Sequence, residues 1–143
     1  MKTLIVTGGT GGLGTAVVQR LSGEYNCVLL RRSQVDLMSE QSIRAALASI
    51  ESPYGLVHMA GGYAGGHVSE TSSDDWQTMI GLNLTSSFLV IRETLARMRR
   101  DAPGRIIAIS SEATRSKFAG AAAYTISKTG LNTLIELTAA ELA

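Results

Sequence analysis

Apolar residues recur along this chain in two alternating rhythms. Lys2-Thr-Leu-Ile-Val-Thr7 is a short run rich in β-branched residues, stopped by glycines, after which Leu13, Val17, Val18 and Leu21 follow at helical spacing. This predicts a strand, a glycine turn and a helix. Cys27 to Leu30 predicts a second strand, and Ser39 ahead of Ile43, Ala46, Leu47 and Ile50 predicts a capped amphipathic helix that Ser52-Pro53 ends. A strand over Leu56 to Met59 leads into the loop Ala60-Gly-Gly-Tyr-Ala-Gly-Gly66. Beyond it, Trp76, Ile80, Leu84, Phe88, Ile91, Leu95 and Met98 step by threes and fours, the apolar stripe of one long helix. Pro103-Gly104 turns the chain into a strand over Arg105 to Ile109, and a last helix is expected from near Ala121 through Leu142.

Strands alternating with helices imply a parallel sheet covered on both faces, because each crossover helix must pack against a face. The fold class expected is therefore α/β, a doubly wound Rossmann-like sheet in three layers, αβα, formed by residues 1–143 as one nucleotide-binding domain. Residues 34–37 follow Ser33 too closely for a helical crossover, so any strand there must be very short and lie at an edge. The last residues carry no helix stop signal. The expectation is a chain cut off in the helix after the fifth strand, the front part of a longer protein.

Composition narrows the function classes. With 45% hydrophobic and 17% charged residues and a formal net charge of +1, the chain is neither disordered nor a polybasic nucleic-acid binder. No run reaches the roughly 20 apolar residues of a membrane span, and glycines interrupt the start too early for a signal peptide, so no membrane partner and a cytoplasmic location are expected. One cysteine, Cys27, rules out an internal disulfide, and with His58 and His67 it makes no metal cluster; a buried, inert thiol is expected.

The chemistry lies in two constellations. Thr7-Gly-Gly-Thr-Gly-Gly-Leu-Gly14 falls between strand and helix, where glycines allow a tight turn and close approach of the backbone to a pyrophosphate at a helix N-terminus. Tyr124-Thr-Ile-Ser-Lys128 places a phenol and an ammonium one helical turn apart, and a neighbouring cation favours the phenolate that acid/base work requires. Ser111 ends the Arg105 to Ile109 strand, and its neighbour Ser110 reads as structural.

Together these residues resemble the short-chain dehydrogenase/reductase family. Its TGxxxGxG pattern fits Thr7, Gly8, Gly12 and Gly14, although Gly11 lets the TGxxGxxG of the family's extended branch fit as well. The thirteen residues from Ser111 to Tyr124 match the compact branch, as does Asn83 in Gly81-Leu-Asn-Leu-Thr85. The resemblance implies a catalytic set of Asn83, Ser111, Tyr124 and Lys128. It further implies a cofactor site over Thr7, Gly8, Gly12, Leu13, Gly14, Arg31, Arg32, Ser33, Asp36, Leu37, Ala60 and Gly61, with Tyr124 and Lys128. In that reading Tyr124 is the acid, Ser111 binds the substrate oxygen, Lys128 holds the nicotinamide ribose and Asn83 positions a relay water.

Two departures bear on the resemblance. The family's NNAG reads His58-Met59-Ala60-Gly61 here, so His58 is expected to supply a structural hydrogen bond in place of asparagine. The loop from Ala60 to Gly66 is similar to the AGGWAGG of dihydropteridine reductases, which suggests Tyr63 as a stacking residue. Where an acid would select NAD, the chain has Arg31, Arg32 and Ser33, and guanidiniums suit the 2′-phosphate of NADP. NADP(H) is expected to be preferred, with NAD(H) as the alternative. The reading is reversible hydride transfer between the nicotinamide and a small carbonyl or alcohol substrate by a homo-oligomer, dimer or tetramer. A non-catalytic dinucleotide binder and an extended-branch sugar-nucleotide epimerase or reductase are the rivals.

Overall fold

The computed structural model describes residues 1–142, which divide into two compact units. Residues 1–60 and 89–107 form the first. Its centre is β1 (Lys2–Thr7), flanked in a parallel four-stranded sheet of order β2-β1-β3-β4 by β2 (Tyr25–Leu30), β3 (Gly55–His58) and β4 (Arg105–Ala108). Leu4 lies opposite Cys27 on one side and Gly55 on the other, and Thr7 opposite Leu30 and His58. Side chains alternate across the sheet. Leu4, Val6 and Val57 therefore share one face, where they pack against Val17, Val18 and Leu21 of α1 (Gly12–Leu21). Cys27 is partly buried against the same cluster. Ile5 and Leu56, one residue out of step, are fully buried as well, so the sheet is covered on both faces. A Cβ at Gly55 would overlap the Arg105 carbonyl, which is why a glycine starts β3.

The link from β2 to α2 (Glu40–Ala46) contains no strand at 34–37. The amides of Gln34 and Val35 both bond to the Arg31 carbonyl, and the Met38 amide donates to the Asp36 carboxylate, so turns satisfy this backbone locally. Among the described residues the sheet has four strands rather than five. Ser39 caps α2 as its sequence position predicts, accepting the Ser42 amide at 3.2 Å, and Ile43 and Leu47 are fully buried.

Residues 61–88 and 108–142 make up the second unit. It contains α3 (Ser73–Ile80), a π-helical turn Gly81–Thr85, the start of α4 (Ser86–Leu95), a short α5 (Ala113–Ser116) and α6 (Ala122–Glu141). Gly130 lets α6 lie against the π-turn, since a Cβ there would come within 2.8 Å of Leu84 Cδ2. The helix expected from the long apolar stripe is present, but the π-turn widens it by a residue and rotates its buried face. Met79, Asn83, Ser86 and Ser87 are buried, while Trp76 and Phe88 of the expected stripe are 38% and 44% exposed.

In the part of α4 that belongs to the first unit, Glu93 is buried and paired with Arg44, Arg92 and Arg97. Burial pushes its carboxyl up, but hydrogen bonds from Arg44 and Arg97 outweigh it and hold the group below the ordinary carboxylate range.

Candidate active site

The glycine turn after β1 belongs to the first unit. Gly8 adopts φ +67°, and a Cβ there would press on the Met59–Ala60 backbone. At Gly14 a Cβ would overlap the Gly8 carbonyl. Gly12 differs: nothing lies within 4 Å of the position its Cβ would take. Packing within the chain thus explains Gly8 and Gly14 but not Gly12, whose bare backbone faces open space. The helix beginning there has Gly11 as its N-cap and no side-chain cap for its first amides, and Leu13 is 56% exposed beside them. Uncapped first-turn amides with a bare approach suit a pyrophosphate, so these residues fit an NAD(P) dinucleotide.

Thr7 lies beneath this turn, fully buried. Its Oγ1 bonds to His58 Nδ1 at 2.8 Å and accepts the amides of Met59 and Ala60, each at 3.2 Å. Thr7 therefore supports the turn from inside, and His58 makes the strand-to-strand bond expected of it. Arg31, Arg32 and Ser33 follow the end of β2 and are exposed. Asp36 binds the Met38 amide at 2.9 Å with its carboxylate, and Leu37 is half-buried.

Asn83, Ser111, Tyr124, Lys128 and Gly61 all fall in the second unit. Asn83 sits in the π-turn, fully buried, with Oδ1 accepting the Gly62 amide at 2.9 Å and Nδ2 donating to the Gly62 carbonyl at 3.0 Å and to Ser127 Oγ at 3.1 Å. Lys128 is 6% exposed, and its Nζ donates to the Ile109 carbonyl at 2.9 Å. Burial lowers its pKa from the ordinary lysine value. A Cβ on Gly61 would lie 2.6 Å from Asn83 Oδ1 and 3.3 Å from Lys128 Nζ, so the asparagine oxygen and the ammonium both border this glycine.

Tyr124, half-buried in the first turn of α6, packs edge-on against Tyr63 with centroids 4.9 Å apart. The loop carrying Tyr63 is strapped to the same helix, Gly66 donating to the Gly120 carbonyl and Ala122 to that of Gly66. Ser111 Oγ accepts the Ala113 amide at 3.2 Å, which leaves its own proton to give. Ser110 Oγ is buried without a partner among the described residues. The sequence reading missed Ser127, although its place directly before the lysine was visible, and missed the Ile109 carbonyl because a backbone acceptor has no signature in sequence.

A family model for short chain dehydrogenases matches residues 31–143. Among curated proteins, the chain is 29% identical over 169 residues to a 3beta-hydroxysteroid dehydrogenase of Mediterraneibacter gnavus, covering 99% of this chain and 61% of that protein. It is 32% identical over 146 residues to the 3-oxoacyl-[acyl-carrier-protein] reductase FabG of Aquifex aeolicus, covering 99% and 58%. The chain thus spans about 60% of the length of these two relatives. A solved short-chain dehydrogenase/reductase from Serratia marcescens superposes with a TM-score of 0.78 at 30% identity, over 93% of this chain and 68% of that one.

Proposed function

The chain belongs to the short-chain dehydrogenase/reductase family, and from that premise we propose that the protein transfers a hydride between NADP(H) and a carbonyl or alcohol substrate. The observation that carries the reading is Lys128, a buried ammonium one helical turn after Tyr124 and anchored on the Ile109 carbonyl. A buried cation costs stability, and here it lies one helical turn from the phenol that this reading makes the acid.

When bound, the nicotinamide supplies the hydride that adds to the carbonyl carbon. Ser111 donates its uncommitted proton as a hydrogen bond to the carbonyl oxygen, concentrating negative charge there as it develops. Tyr124 gives its phenolic proton to that oxygen, and Lys128 stabilises the phenolate left behind. Asn83 Oδ1 keeps one lone pair after accepting the Gly62 amide, and that lone pair and Lys128 Nζ, both bordering Gly61, would hold a relay water. The uncapped start of α1 takes the pyrophosphate, and the exposed Arg31 and Arg32 take the 2′-phosphate.

The relatives' names cover a hydroxysteroid and an acyl-carrier-protein thioester, so no single substrate follows from them. Tyr63, exposed beside Tyr124, would border the substrate. Exposed Trp76, Phe88 and Leu137 support self-association. No helix among the described residues is long and apolar enough to cross a membrane, which supports a cytoplasmic placement. Tyr124→Phe tests the reading: it should abolish turnover while leaving the NADPH dissociation constant within about twofold. Retention of most of kcat would remove Tyr124 from the acid's role.

A further inference from the structure

Ser127 is fully buried between the two residues to which the proposed chemistry gives the largest roles in α6, and that chemistry assigns it nothing. Its hydroxyl meets two groups. Asn83 Nδ2 lies 3.1 Å away and can only donate; the Tyr124 carbonyl lies 2.8 Å away and can only accept. The hydroxyl must therefore accept from Asn83 and donate to Tyr124, with no other arrangement open to it.

The carbonyl that Ser127 holds has a further load. In an α-helix the oxygen of residue i accepts the amide of residue i+4, so the Tyr124 oxygen also closes the turn onto Lys128. That turn fixes the distance between the phenol and the ammonium. Asn83, at the other end, is clamped to both the amide and the carbonyl of Gly62. A directional chain thus runs from the loop backbone at Gly62, through Asn83 and Ser127, to the peptide group joining Tyr124 and Lys128 in one turn.

We propose that Ser127 is a positioning residue, which references the Tyr124–Lys128 turn to Asn83 and so keeps the phenol and the ammonium in working register. The inference rests on the acid/base reading of Tyr124 given above. Without the hydroxyl, Asn83 Nδ2 loses an acceptor and the turn loses its second donor, and both can relax. Displacements below an ångström are enough to slow a reaction substantially, since about 1 Å can cost on the order of a hundredfold.

The test compares Ser127→Ala, Ser127→Thr and Tyr124→Phe in the full-length protein, using NADPH and one ketone that the parent reduces. Ser127→Ala should lower kcat about tenfold with KM within about twofold, and should displace the limb of the pH–rate profile that reports the acid. Amide hydrogen exchange at Lys128, measured without cofactor against Leu131 of the same helix, should rise about tenfold as the turn loosens. Ser127→Thr, which restores a hydroxyl, should return kcat and the pH limb to near parental values. If Ser127→Ala does not fold, Ser127→Cys, close in shape and weak in hydrogen bonding, makes the same comparison. An alanine variant that melts earlier but keeps the parental kcat, pH limb and exchange ratio overturns the inference while an inactive Tyr124→Phe leaves the functional reading standing. A Tyr124→Phe variant as active as the parent overturns both.

Discussion

Thr7 Oγ1 and His58 Nδ1 lie 2.8 Å apart, joining the ends of two neighbouring strands, β1 and β3. Because Thr7 also accepts the amides of Met59 and Ala60, its own proton goes to His58. Thr7→Val keeps the shape but removes the hydroxyl, which takes a bond from the Ala60 amide and from the His58 ring nitrogen, while the Met59 amide keeps its bond to the Thr7 carbonyl. Urea unfolding should show a loss of about 1–3 kcal/mol, the cost of unsatisfied buried polar groups. A loss under a few tenths would mean that the hydroxyl does not hold these strand ends.

The glycines of the first turn should separate folding from binding. Gly14→Ala forces a methyl onto the Gly8 carbonyl and should destabilise the protein by several kcal/mol. Gly12→Ala meets open space and replaces glycine at the first helical position, so thermal stability should be kept or raised by up to about 1 kcal/mol. Its NADPH affinity should nonetheless fall at least about tenfold, because the methyl stands where the pyrophosphate approaches. Isothermal titration and a melting curve on the same sample check both halves.

The sheet and its glycine turn were legible in the sequence because strand runs, glycines and helical spacing agreed at every step from Lys2 to Leu21. Ser39 announced its helix for the same reason. The face of the long helix did not follow from periodicity, since the π-turn at Gly81–Thr85 inserts a residue and the face it buries is partly polar, with Asn83, Ser86 and Ser87. Turns took the place of a strand at 34–37 because local bonds to the Arg31 carbonyl satisfied that backbone without a partner strand. At the candidate site, motifs made Asn83, Ser111, Tyr124 and Lys128 legible as candidates in the sequence. Ser127 and the Ile109 carbonyl act through tertiary contacts that no spacing records.

Arg31 and Arg32 should set cofactor preference. Both are exposed after β2, with no carboxylate at that position to favour NAD. NADPH should bind more tightly than NADH, and the Arg31→Ala, Arg32→Ala double variant should lose about tenfold or more of that preference, with NADH affinity little changed. Fluorescence titration at two salt concentrations reads both effects, the NADPH advantage shrinking at high salt. Equal affinities in the parent would remove these arginines from cofactor selection.

Lys128 gives a pH dependence of known sign. Burial makes the folded protein hold this proton less tightly than the unfolded chain does. Below the folded-state value both states are charged and the burial cost is present in full. As the pH rises through the folded-state value the folded protein sheds the proton first, so the lysine's contribution to stability rises with pH until the unfolded chain also deprotonates. The stability of Lys128→Met relative to the parent should therefore be greatest below the folded-state value of the lysine and shrink as the pH rises through it. Urea unfolding across that range is the check, and a pH-independent difference would contradict the burial argument.

Hydride transfer itself can be observed by isotope. The full-length protein is incubated with NADPH deuterated at the transferring position and with a panel of ketones, and the alcohol products are read by mass spectrometry. The account predicts one deuterium at the carbinol carbon with the parent protein, and none above background with Tyr124→Phe despite intact NADPH binding. Label appearing equally with both proteins, or NADPH bound by the parent with no labelled alcohol from any ketone, would contradict it.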